Sequence, residues 1–212
     1  MTSPAELVLV LVVVTDFAVL ATARLSSCIR AIAAQGLLLG ALPFLVEGHL
    51  TAHTLALGLG TMLIKAGVLP WLLRRAMREA AVRREVEPLI GAVASMLLGA
   101  LALAIGFAVA GVLPLHAMVP ELLVPVALVT LVMGLIVLTT RSKAITQVVG
   151  YLMFENGIFL FGLTQSQRVP FLVEIGVLLD VLAGVFIMGI VVFHINREFD
   201  SISSAKLVDL RD

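Results

Sequence analysis

The sequence predicts an all-α integral membrane protein with seven transmembrane helices, the N-terminus outside and the C-terminus cytoplasmic. Three observations carry that expectation. Of the 212 residues, 61% are hydrophobic and 13% charged, and the mean hydropathy is +1.15, where a soluble domain sits near about 45–50% apolar and about 25% charged. Apolar runs of about 20 residues, enough to cross a hydrocarbon core, recur seven times. Basic residues then fall almost wholly on one side of those runs.

The runs are 5–23, 31–47, 52–73, 88–112, 119–139, 145–163 and 170–195. The first ends in "ATA" (21–23), a small-residue pattern that resembles a signal-peptidase site. No Lys or Arg precedes it, so the basic n-region is missing and a retained helix is expected. Arg24 and Arg30 mark the next boundary, and Glu47, Gly48 and His49 the one after. "RRAMREAAVRREVE" (74–87) has no Gly or Pro and mostly good helix formers, so the third helix is expected to run on into the cytoplasm. There it is a solvated connector, a docking segment or a stretch lying near anionic headgroups. Pro88 opens the fourth run, where a missing N–H costs nothing. Pro114 and Pro120 bracket the following turn, and Pro170 opens the seventh run.

Twelve of the 14 Lys and Arg residues lie on one side of this layout: Arg24 and Arg30; Arg74, Arg75, Arg78, Arg83 and Arg84; Arg141 and Lys143; Arg197, Lys206 and Arg211. Arg168 is alone on the other side and Lys65 lies inside a span. The positive-inside rule makes the basic side cytoplasmic.

Several function classes are disfavoured. The formal charge is zero, so nothing points to nucleic acid. Cys28 is the single cysteine, which excludes an intrachain disulfide and a CxxC site. His49 and His53 have the i, i+4 spacing of metal ligands without an HExxH motif, and no metal is expected there. Neither a Gly-rich phosphate loop nor a Ser/His/Asp arrangement is present.

What stands out is charge where a bilayer penalises it. Asp16, Lys65, Glu155 and Asp180 lie near the middle of the first, third, sixth and seventh spans, at a cost of about 2.5–3.5 kcal/mol each on insertion scales. Such groups face a bundle interior or a wet cavity and mark ion or proton pathways. These four are the candidate proton relay. Three acids cannot each own the one base, so at least one carboxylate is expected to be protonated, hydrated or paired with a neighbouring subunit. Asn156 and Gln147 give the helix of Glu155 a polar stripe and, with Glu174 near the outer end of the seventh span, form a secondary set. Lys65 lies about 12 Å from the cytoplasmic end of its span at helical rise, too far for easy snorkelling.

The stretches "VVGYLMFENGIFLFGL" (148–163) and "FLVEIGVLLDVLAGVFIMGIVVFHI" (171–195) resemble the K-type small subunit of respiratory complex I and the C subunit of multi-subunit cation/proton antiporters. With four further N-terminal helices, the whole chain is similar to the E component of hydrogenase-4 and formate-hydrogenlyase-type complexes. The resemblance implies a four-helix region over 1–118 and a three-helix K-like region with a short tail over 119–212. It implies a non-catalytic subunit beside antiporter-like large subunits, other membrane-arm subunits and a hydrogenase module, in a prokaryotic inner membrane. Fe–S clusters and a Ni–Fe centre would belong to those partners, and this chain would hold no cofactor. Aligned on Gly150, the family's first membrane glutamate falls on Leu152, and the carboxylate here is Glu155, three residues on. Aligned on Gly184, the second falls on Asp180. Proton translocation coupled to partner redox chemistry is the function this implies. A structural or assembly subunit, an antiporter subunit and a stand-alone transporter remain alternatives.

Overall fold

The computed structural model describes residues 3–47, 51–79, 89–113, 120–165 and 179–189. Among these the chain is all-helical, and five helices are long and apolar enough to cross a membrane. Glu174, His49 and the tail from 190 lie outside the described residues.

Helix α1 (Pro4–Leu20) starts at a capping box: Ser3 Oγ accepts from the Glu6 N–H at 3.2 Å, and a Glu6 carboxylate oxygen accepts from the Ser3 N–H at 2.8 Å. Helix α2 (Leu25–Glu47) begins six residues earlier than expected. Arg30 had marked a boundary, but it lies within the first turns of the helix and donates to Ser27 at 3.2 Å. A charge there needs no loop, because the end of a spanning helix reaches the headgroup region.

The third span is one continuous helical rod in three parts: α3 (Ala52–Thr61), a π-helical segment (Met62–Val68) and α4 (Leu69–Glu79). The Leu69 N–H bonds to the Ile64 carbonyl, five residues back. Pro70 has no N–H, so it can restore neither the Lys65 nor the Ala66 carbonyl bond. The wide turn therefore persists at Lys65. The rod continues past residue 73 as far as Glu79, and the rest of the basic connector is outside the described residues.

Helices α5 (Ala92–Val112), α6 (Leu123–Thr140) and α7 (Ala144–Gln165) follow, then α8 (Leu179–Gly189), the described part of the seventh run. α5 buries a stripe of small residues, Ser95, Gly99, Ala102, Gly106 and Ala110, and exposes Leu97, Leu101 and Ile105. The α6–α7 pair is the tightest. A Cβ at Gly157 would lie 2.5 Å from the Leu131 backbone nitrogen, and Cβ atoms at Gly134 and Gly150 would collide with the backbones of Phe154 and Leu138. Small residues that let backbones touch are the usual glue where lipid removes the hydrophobic drive between helices.

Arg141, counted from sequence among the cytoplasmic charges, is buried and donates to the Leu20 carbonyl at 3.3 Å. It places a cation at the C-terminus of α1, where the helix dipole favours one.

Candidate functional site

The four primary candidate charges fall into two clusters. The first is a triad. Lys65 projects from the π-helical segment and donates to Glu155 of α7 and, at 2.9 Å, to Asp180 of α8. All three are nearly sealed, with exposures of 4%, 0% and 5%. Phe159, one turn beyond Glu155, lays its ring 6.0 Å from the Lys65 ammonium, within reach of a cation–π attraction. The backbone allows this because α2 has glycine where the π segment passes. A Cβ at Gly36 would lie 2.6 Å from the Lys65 carbonyl carbon and 2.8 Å from its oxygen.

The triad holds two carboxylates and one ammonium. Glu155 Oε2 is buried without a hydrogen-bond partner among the described residues. A carboxylate oxygen in that position is an open acceptor site in an otherwise closed cluster.

The second cluster lies around Asp16. Gln35 of α2 donates to one carboxylate oxygen at 2.6 Å and Thr130 of α6 to the other at 2.7 Å. Asn156 of α7 donates to the Gln35 carbonyl oxygen at 2.8 Å. Asp16 thus has neutral hydrogen-bond partners within its own chain and no cation beside it among the described residues. Neighbouring residues on α7 divide the two clusters: Glu155 faces the π segment and Asn156 faces α2.

The chain is 37% identical over 191 residues to Uncharacterized protein Rv0085 of Mycobacterium tuberculosis (strain ATCC 25618 / H37Rv), covering 89% of this chain and 87% of that protein. It belongs to the family of that mycobacterial protein. No family model matches the chain. No solved structure matches it either.

For this family member, the structure unites three of the four primary candidates, Lys65, Glu155 and Asp180, and sets Asp16 apart with Asn156. Gln147 does not continue the polar stripe to Glu155. Its amide donates to the Arg141 carbonyl at 3.0 Å, ahead of α7, and its side chain lines an apolar cavity of about 330 Å³ between α7 and α8 with Tyr151, Ala183 and Phe186. The C-terminus of α6 leaves carbonyls without a helical partner beside the first turn of α7, and one of these takes the Gln147 amide. The Tyr151 hydroxyl donates to the Leu179 carbonyl at 3.4 Å. Gln35 and Thr130 were missed from sequence. Gln35 had a usable signal, an amide in the middle of an apolar run.

Proposed function

We propose that the chain is a membrane subunit of a complex-I-related complex of the hydrogenase-4 or formate-hydrogenlyase type, and that it moves protons while partner subunits carry out the redox chemistry. The observation that carries this reading is the Lys65–Glu155–Asp180 triad: one base bridging two acids from different helices, sealed from solvent and left with an open carboxylate oxygen. Groups that are expensive to bury and can each gain or lose a proton suit a relay. The sequence resemblance supports the choice of complex: the family's second membrane carboxylate falls on Asp180, and Glu155 lies three residues beyond the position of its first.

In this reading the chain crosses a prokaryotic inner membrane seven times, N-terminus outside, with α1 and the full 170–195 run as first and last spans. α1 has 17 residues, about 25 Å at helical rise, close to the core thickness of about 30 Å. Antiporter-like subunits and a hydrogenase module are its partners, and the Fe–S and Ni–Fe centres are theirs.

Glu155→Gln and Asp180→Asn test it. Each amide keeps shape and an acceptor for Lys65 but does not titrate at accessible pH. The expected outcome is normal abundance of the complex with fewer protons taken up per electron in vesicles. Full coupling in the double amide variant overturns the relay. It would favour the structural reading, in which the triad only fastens α7 and α8 to the π segment.

A further inference from the structure

Asp16 ends a chain of two side-chain amides that carries one polarity at a time. Asn156 Nδ2 donates to Gln35 Oε1, Gln35 Nε2 donates to Asp16 Oδ1, and Thr130 Oγ1 donates to Asp16 Oδ2. All four side chains are buried. Every donor points toward Asp16, the polarity that suits a carboxylate accepting on both oxygens. A proton on Oδ1 would set O–H against the Gln35 N–H. The conflict is removed when Gln35 turns its amide over, so that Oε1 accepts from Asp16. Gln35 Nε2 then meets the Asn156 amide donor, and a second turnover restores that bond.

No charge from the packed helices competes with this device. α5 and α6, both against α1, contain no Asp, Glu, Lys, Arg or His. On α1 the other ionisable residue is Glu6 in the first turn, and on α2 they are Cys28 and Arg30 near its start and Glu47 at its end. The π-helical segment against α2 brings Lys65, whose ammonium is taken up by Glu155 and Asp180. On α7 the neighbour is Glu155, which faces away and is held by Lys65.

We propose that Gln35 is a positioning residue that couples the protonation of Asp16 to the orientation of Asn156, the two amides reversing together. The inference rests on the proposed role of the membrane carboxylates in exchanging protons and adds what a proton on Asp16 does to its neighbours. Side-chain amides do not titrate at accessible pH, so the Gln35 link passes orientation, not protons, to Asn156.

Infrared difference titration of native membranes enriched in the full chain tests this. The expected result is a protonated-carboxyl band, lost in Asp16→Asn, that grows with the same midpoint as a change in side-chain amide bands. Gln35→Met should abolish the amide change, keep the carboxyl band and shift its midpoint. Thr130→Val should leave the amide change in place. A carboxyl band that titrates with unchanged amides would assign the adjustment to the Thr130 hydroxyl and overturn the proposal. So would the absence of any titrating Asp16 band. Neither readout depends on proton pumping, so loss of the relay at Glu155 and Asp180 would leave this result standing on its own.

Discussion

Asp16 and Glu155 are both sealed carboxylates in apolar helices, yet they are handled in opposite ways. Glu155 shares a full charge, Lys65, with a second acid, and one of its oxygens is left open. Asp16 has both oxygens filled by neutral donors from two other helices. A charged partner ties the stability of one site to the survival of every member. Neutral partners tolerate a change of charge because they can turn over. The triad is therefore the brittle cluster and the Asp16 group the adaptable one.

The largest effect should come from breaking the triad at its base. Lys65→Met leaves two carboxylates buried side by side without their cation, and losing one partner of a buried ion pair costs about 3–5 kcal/mol. Membrane abundance and thermal midpoint should both fall sharply. Combining it with Glu155→Gln and Asp180→Asn removes the orphaned charges, so abundance should recover while the proposed proton coupling stays lost. An abundant, thermally normal Lys65→Met protein would show that the triad is not held by its charges.

A medium effect should separate the clusters in the other direction. Gly157 follows Asn156 and meets Leu131, which follows Thr130. Gly157→Ala pushes α7 off α6 next to the Asp16 group. Overpacking of this kind costs about 1–3 kcal/mol. The measurement is the Asp16 carboxyl band beside coupling: the band should shift while the proton yield per electron changes little. A shift in coupling with an unchanged band would mean that the two clusters are not mechanically distinct.

The same contrast explains what was legible in the sequence. Asp16, Lys65, Glu155 and Asp180 announce themselves because a charge in an apolar run is too costly to be incidental. Their grouping was not legible, since four positions on four helices say nothing about which helices meet. Gln35 and Thr130 went unnoticed because neutral polar residues are cheap inside spans, and their partners come from other helices. The π-helical turn follows from local chemistry around Lys65 and Pro70, but a proline after a glycine-containing run ordinarily signals a kink or an end. The sequence counts Arg141 only among the cytoplasmic charges, and its burial beside Leu20 depends on the tertiary approach of α1 to α6. The all-helical class and most spans were set by composition and run length alone. The start of α2 differs because Arg30, which marks the edge of the apolar run, lies inside the helix.

The smallest stability effect should be Asp16→Asn. The new side chain keeps one acceptor oxygen for Thr130 or Gln35 and gains a donor. That donor finds the Gln35 carbonyl oxygen once the Gln35 amide turns over, which is the arrangement proposed for protonated Asp16. No group is left unpaired and no charge is stranded, so the change in stability should stay below about 1 kcal/mol, within the range of an ordinary hydrogen bond. Asp16→Leu is the control. It leaves the Gln35 and Thr130 donors buried and unpaired, at about 1–3 kcal/mol for each orphaned group. Thermal midpoints of the two variants, read beside Lys65→Met, place the clusters on one scale. If Asp16→Asn proves as damaging as Lys65→Met, then Asp16 is held by its charge after all, and the distinction between a brittle and an adaptable cluster fails.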